Sequence, residues 1–300
     1  MRYLIIDIGS NTVKYDLFEV HQETVRTLGI KSRAVRIINY IVDGCLTPEG
    51  YERLCETLLE YKEDAKSAEA ALFCFATASF RRLSDPASTI VEIKKRTDIE
   101  VRLLSGEEEG AYSFKGMLAT LHPLPPQGFM IDMGGGSTEL NLFEKEQTLF
   151  LYSCPFGALS TKNAAGVDDR MSASQCIDAK NYVKTLLPPE ISSFGAGGKR
   201  AVMVGGTGKA CKTMARELLG IKEANKLTRA QFSSLLRLVC DPSQEVFEKM
   251  KLLVPQRYQL MGAGIAAFDA IFDASGCEEI FICSGGIRDG YLYELLQQEK

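Results

Sequence analysis

Leu4 to Ile6 is a short apolar run, and Val13 to Val20 alternates loosely, with the turn-prone Gly9-Ser10-Asn11 between them. That pattern predicts a strand, a glycine-bearing turn and a returning strand. Thr47-Pro48-Glu49 predicts a helix start, with a capping residue followed by proline at the first helical position. Apolar residues at Tyr51, Leu54, Leu58, Tyr61 and Ala65 then keep helical spacing. Ala71 to Ala76 reads as a buried strand, Thr77 to Leu83 leads away from its end, and Val101 to Leu104 is a further strand. Ser105 and Glu108 form a capping box that opens a helix running to about Leu121. His122-Pro123-Leu124-Pro125-Pro126 cannot continue that helix, because proline lacks the amide donor and restricts the residue before it. A domain boundary is expected there, between residues 1–122 and 123–300.

After the break the pattern restarts. Phe129 to Met133 is apolar, Gly134-Gly135-Gly136 is a turn, and Thr138 to Phe143 returns. Ser172 with Gln175 and Thr228 with Gln231 are further capping boxes. Two strand–glycine–helix units follow, Ala201 to Leu218 around Gly205-Gly206-Thr207-Gly208, and Ile280 to Leu296 around Gly285-Gly286. Strands alternating with helices imply an α/β fold. A displacement of 125 residues lays Ile6-Asp7-Ile8-Gly9-Ser10-Asn11-Thr12 on Ile131-Asp132-Met133-Gly134-Gly135-Gly136-Ser137. Asp16-Leu17-Phe18-Glu19 falls on Asn141-Leu142-Phe143-Glu144 at the same displacement. Two copies of one hairpin are expected, each with an aspartate at the end of its first strand.

Composition narrows the chemistry. Lys and Arg total 35 against 39 Asp and Glu, a net charge of −4 spread evenly along the chain, which argues against a nucleic-acid or membrane-surface partner. Any anionic substrate must then be held by local groups. The nine cysteines are scattered and form no Cys-x-x-Cys pair, and the only histidines are His21 and His122. A zinc site and a Ser-His-Asp or Cys-His engine are therefore not expected. Cys74, Cys211 and Cys283 read as reduced core residues. The apolar start turns polar at Asp7, too early for a signal peptide, and no stretch reaches a membrane-spanning length. A cytoplasmic protein is expected.

The paired hairpins suggest a phosphate site. Glycine lets backbone approach a ligand, successive turn amides form an anion-binding concavity, and a hydroxyl from Thr12 or Ser137 adds to it. Asp7 or Asp132 offers a hard oxygen ligand for magnesium, directly or through water.

These hairpins, with the later Gly-Gly-Thr-Gly, resemble the superfamily of sugar kinases, heat-shock ATPases and actin. Within it, seven stretches resemble the exopolyphosphatase and guanosine pentaphosphate phosphohydrolase family: Ile5 to Lys14, Ala76 to Leu83, Leu103 to Met117, Met130 to Leu140, Cys154 to Lys162, Val204 to Ala210 and Ser284 to Leu296. They keep family order over nearly the whole chain. The resemblance implies two related ribonuclease H-like, actin-like ATPase domains facing across a cleft, with the last helix, about 287–300, packing back on the first domain. It implies Mg2+-dependent release of terminal phosphate from inorganic polyphosphate or guanosine pentaphosphate, and a homodimer. Arg257-Tyr258-Gln259 departs from the family's Arg-x-Asp, and Gly110 and Tyr112 depart from its usual small-then-basic pair. Longer members carry C-terminal helical domains beyond the point where this sequence stops.

Carried residue by residue, the resemblance implies Asp132, with Glu139 close by, as metal ligands and Asp7 as their pseudo-symmetric partner. Glu109 matches the family's catalytic glutamate, which orients or deprotonates the attacking water. Acidic residues at a helix start also complement its dipole, a task Glu107 and Glu108 can perform. Arg81 matches an arginine that reaches substrate phosphates, a role suited to the guanidinium fork. Phosphate binding is expected from Gly9, Ser10, Asn11, Thr12 and Lys14, from Gly134, Gly135, Gly136, Ser137 and Thr138, and from Gly206 and Thr207. Arg257 and Arg288 are further candidate contacts. Two other readings are an ATP-dependent small-molecule kinase and a sensor that binds guanosine tetraphosphate without turnover.

Overall fold

A computed structural model describes residues 1–22 and 24–298. By contacts the chain forms two units, Met1–Glu109 joined by the stretch from Tyr291, and Gly110–Gly290. The first unit contains β1 (Arg2–Ile8), β2 (Val13–His21), β3 (Thr24–Arg33), a small ribbon of β4 (Ile41–Val42) and β5 (Cys45–Leu46), then α1 (Pro48–Ser67), β6 (Ala71–Ala76), α2 (Ala78–Arg81), α3 (Pro86–Thr97) and β7 (Val101–Leu103). Its sheet has the order β3-β2-β1-β6-β7. Leu4, Ile5 and Ile6 are fully buried, as a central strand covered on both faces requires. Leu54, Leu58 and Tyr61 of α1 and Ile93 of α3 complete this core with Cys74 and Val101. Both helices begin as their sequences dictate. Thr47 accepts a hydrogen bond from the Gly50 amide at 3.2 Å, Asp85 accepts one from the Ser88 amide at 3.0 Å, and each cap precedes a proline.

α4 (Gly106–Thr120) carries the chain into the second unit. There follow β8 (Gln127–Met133), β9 (Thr138–Glu144), β10 (Gln147–Cys154), α5 (Ala158–Ala164), α6 (Ala173–Leu186), α7 (Gly195–Gly198), β11 (Arg200–Val204), α8 (Gly205–Leu219), β12 (Lys226–Thr228), α9 (Arg229–Val239), α10 (Gln244–Leu253), α11 (Tyr258–Ser275), β13 (Glu279–Ile282) and α12 (Ile287–Gln298). The sheet order is β10-β9-β8-β11-β13-β12. Without its edge strand β12, this is the topology of the first sheet. α11 is buried on every side along most of its length, as a helix apolar all round must be.

The two hairpins match in register as well as in sequence. Arg2 lies opposite Glu19, Asp7 opposite Lys14 and Ile8 opposite Val13. The same displacement of 125 puts Gln127 opposite Glu144, Asp132 opposite Glu139 and Met133 opposite Thr138. The turns match too: the Gly9 amide bonds the Thr12 carbonyl at 3.1 Å, and the Gly134 amide bonds the Ser137 carbonyl at 3.0 Å.

The contact division lies at Glu109/Gly110, inside α4, and not at the proline stretch expected to divide 1–122 from 123–300. The prolines do end the helix. Its second half, however, already packs with the second unit, where Phe114 and Met117 meet Met130 and Phe143. At the other end, Tyr291 of α12 belongs to the first unit, its ring centroid 5.0 Å from that of Phe75. Glu299 and Lys300, part of the expected last helix, lie outside the described residues.

Within the second unit α4 and the start of α12 meet glycine on glycine. A Cβ on Gly116 would lie 2.0 Å from the Gly286 carbonyl oxygen, and one on Gly290 would lie 1.8 Å from the Tyr112 carbonyl oxygen. Backbone on both sides cannot step aside. Gly116→Ala is therefore expected to cost at least the upper part of the usual overpacking range of about 1–3 kcal/mol. A urea melt with unchanged midpoint would contradict this contact.

All nine cysteines are free, and only Cys45 is exposed. Burial pushes the thiols of Cys74 and Cys211 well above their ordinary value, and Cys154 and Cys277 up to about 12. Only the thiolate reacts readily. Titration of the native protein with an aromatic disulfide at neutral pH should show one fast thiol, abolished by Cys45→Ser. Several fast thiols would overturn this assignment.

Candidate active site

In the first unit the pivotal contact is between Arg81 and Glu109. Arg81 ends α2, the short helix leaving the C-terminal end of β6. Its Nη1 donates to the Leu104 carbonyl at 3.0 Å and to Glu109 Oε2 at 2.8 Å. Glu109 is only 8% exposed. The start of α4 separates three acidic neighbours by task. Glu107 is exposed. Glu108 turns back on Ser105, its Oε2 accepting from the Ser105 amide at 2.9 Å while its own amide donates to Ser105 Oγ at 3.1 Å. The Ser105 amide, with burial opposing and Arg102 assisting, holds the Glu108 carboxyl below its ordinary value. The next residue, Glu109, points inward to Arg81. Arg82 is exposed, as are His21 and His122.

Ser10, Asn11 and Thr12 are buried at the hairpin turn. The Ser10 carbonyl accepts from Ile38 at 3.3 Å and the Asn11 carbonyl from Arg36 at 2.9 Å. Asp7 faces Lys14 across the strands, opposite charges that suit each other.

The corresponding pair in the second unit is different. Asp132 faces Glu139, two carboxylates on one face of neighbouring strands. Each receives a serine hydroxyl. Ser113 Oγ of α4 donates to Asp132 Oδ2, and Ser153 Oγ of β10 donates to Glu139 Oε1 at 2.9 Å. Glu139 is 1% exposed, whereas Asp132 is half-buried. The other Asp132 oxygen lies against the turn into α8. A Cβ on Gly205 would sit 2.6 Å from Oδ1, and Gly205 has φ +83°, which glycine alone adopts without strain. Gly206 is equally hemmed in, with its Cβ position 2.2 Å from Arg257 Nη2.

The Gly134 carbonyl accepts from Ala158 at 2.9 Å, and the Gly135 carbonyl accepts from Leu159 at 3.0 Å and Ser160 at 3.1 Å. Because a trans peptide's N–H points opposite to its C=O, the amides of Gly135 and Gly136 point away from α5. The Gly134 amide, like that of Gly9, is taken within its own turn. These two glycines shape their loops, and the amides after them are the candidate anion donors. Thr138 Oγ1 donates to the Phe156 carbonyl at 2.7 Å. Thr207 is 1% exposed, with its methyl against Gly264 of α11. Gln259, at the family departure, donates from Nε2 to Asp169 Oδ1 at 2.9 Å.

The donor set of the second unit fits magnesium. Two opposed carboxylates would hold it, both braced by hydroxyls, beside a loop suited to phosphate. Mg2+ is commonly bound by one or two carboxylates plus waters and substrate phosphates, so a three-ligand cage is not required. Among the described residues there is no group of three or more His, Cys, Asp or Glu placed to hold a metal. No described helix is long and apolar enough to cross a membrane. Ser113 and Ser153 carry no signal in the motifs of the sequence. Ser113 stands one helical turn beyond Glu109, the spacing that could have marked it.

A family model described as the Ppx/GppA phosphatase family matches residues 18–299. Exopolyphosphatase 1 of Mycobacterium tuberculosis is 23% identical over 309 residues, covering 100% of this chain and 89% of that protein. The guanosine-5'-triphosphate,3'-diphosphate pyrophosphatase of Vibrio cholerae is 24% identical over 298 residues, covering 98% of this chain and 59% of that protein. The crystal structure of an exopolyphosphatase from Cytophaga hutchinsonii superposes with a TM-score of 0.87 at 20% identity, covering 99% of this chain and 98% of the other. That likeness establishes a shared fold.

Proposed function

We propose that this chain, which belongs to the Ppx/GppA phosphatase family, is a phosphohydrolase that releases the terminal phosphate of inorganic polyphosphate or guanosine pentaphosphate. The observation that carries the reading is the Asp132–Glu139 pair beside the Gly134–Ser137 turn. Two opposed carboxylates suit a cation, and phosphoryl transfer needs a cation at the phosphate oxygens. Bound Mg2+ would neutralise charge on those oxygens. Asp132 and Glu139 would hold it, while the Gly135 and Gly136 amides and the Ser137 hydroxyl would receive phosphate oxygens. Asp7 and Lys14 contribute one charge of each sign to the matching turn. Asp7 would be available to a cation, directly or through water, and Lys14 to a phosphate.

Glu109 directs the attacking water. The new bond joins the water oxygen to the terminal phosphorus, and the bridging P–O bond breaks. The water proton passes to the Glu109 carboxylate. Arg81 has two tasks: its contact with Glu109 Oε2 fixes the carboxylate, and the guanidinium fork suits phosphate. Mostly positioning and charge neutralisation are asked of the protein, and no covalent intermediate is needed.

A cytoplasmic location belongs to this reading through the sequence pattern, and a homodimeric assembly through the resemblance. The deciding experiment measures phosphate release from polyphosphate and from guanosine pentaphosphate, each with and without Mg2+. Magnesium-dependent release from either supports the proposal. No release from both, with tight nucleotide binding retained, would replace it with a sensor.

A further inference from the structure

We infer that Ser113 is a positioning residue that sets the orientation of the Asp132 carboxylate, and through it the affinity for the divalent cation. The inference rests on the proposed metal role of Asp132. Ser113 is fully buried in α4, and its hydroxyl donates to Asp132 Oδ2. Asp132 lies at the end of β8, where its own strand constrains the backbone but leaves the carboxylate free to turn about its last torsion, which is broad and nearly two-fold. Two neighbours limit that turn. Gly205, in the left-handed region, brings backbone close to Oδ1, and Ser113 pins Oδ2 from a different element.

Glu139 is supported differently. Its donor, Ser153, is its direct partner on the adjacent strand β10, so strand pairing alone brings that hydroxyl into place. Ser113 has no such help from the sheet: it reaches Asp132 only because α4 packs there, with Phe114 and Met117 against Met130. A hydroxyl that orients a ligating carboxylate fixes which lone pairs face the cation. Loss of such an outer contact typically weakens metal binding by about 10–100-fold. Ser113 acts through Asp132, so its effect should fall on metal affinity and leave the saturated rate close to normal.

The test uses Mn2+ as probe, followed by electron paramagnetic resonance on the full-length protein without substrate. Ser113→Ala is expected to weaken Mn2+ binding by about 10–100-fold. Ser113→Thr, which keeps the hydroxyl, should restore most of it. Alanine favours a helix, so Ser113→Ala should fold. A purely packing role would lower its melting temperature and leave Mn2+ affinity unchanged, which overturns the inference. Asp132→Asn separates the two levels of argument. If Asp132→Asn loses Mn2+ while Ser113→Ala does not, the positioning role fails and the metal site stands. If Asp132→Asn binds Mn2+ as the unaltered chain does, both fail. In steady-state assays, the half-saturating Mg2+ concentration of Ser113→Ala should rise by the same factor with kcat recovered at high Mg2+. A loss of kcat that excess Mg2+ does not repair would also overturn it.

Discussion

Glu109→Gln is expected to lower turnover by roughly 10²–10⁴-fold, the usual worth of a positioned acid or base. The substitution keeps the side chain's size, and a glutamine carbonyl can still accept from Arg81 Nη1, which now lies 2.8 Å from Oε2. The fold should therefore be preserved. What disappears is the negative charge and the proton acceptor. Substrate affinity should hold or improve, because one negative charge beside an anionic substrate is gone. Glu108→Gln is the control. Its carboxylate serves Ser105 and Arg102, so the loss should appear as a modest drop in stability, of about 1 kcal/mol, with turnover nearly intact. Phosphate release and binding measured on both variants distinguish the roles. Near-normal turnover in Glu109→Gln would remove it from the chemistry and leave the loops and metal pair untouched.

The separation of those glutamates shows what the chain discloses by itself. The Ser105–Glu108 capping box is written in spacing, so the helix start could be read from sequence, whereas Glu109 was marked by the family resemblance. The 125-residue repeat was equally legible, because the same glycine and the same aspartate recur at matching positions of two hairpins in the same register. Asp85-Pro86 repeats the signal of Thr47-Pro48, yet the sequence reading did not use it to place α3. β3 and β10 are half-exposed outer strands, with mixed polar and apolar residues and no clean alternation to reveal them. α11 is apolar on all sides and thus has no periodic face. The unit division was hidden for another reason. Proline marks where a helix stops, whereas contacts depend on which core the helix's side chains enter, and Phe114 enters its core before the prolines. Ser113 was missed because its significance depends on a contact with a strand residue 19 positions away.

Register also turns one substitution between the repeats into a prediction. Lys14 in the first hairpin corresponds to Glu139 in the second, and each stands across from an aspartate. The first pair is self-neutralising, whereas the second concentrates negative charge at a half-buried site. Asp132→Asn should therefore stabilise the metal-free protein, by roughly 0.2–1 kcal/mol, since like charges directly opposite cost about that much. Asp7→Asn, which breaks an opposite-charge pair, should do the reverse by a similar amount. Activity should move the other way. Loss of a metal-held charge at phosphate is worth several kcal/mol, and each 1.4 kcal/mol or so is tenfold, so turnover of Asp132→Asn should fall roughly 10²–10³-fold. Magnesium itself supplies the third readout. At a concentration about 100 times its dissociation constant it should stabilise the unaltered protein by about 2.7 kcal/mol, and Asp132→Asn by far less. A stability gain coupled to lost activity and a lost magnesium response is the signature of charges gathered for a cation. If Asp132→Asn is destabilised without metal and still gains stability from Mg2+, the Asp132–Glu139 pair is not the cation site.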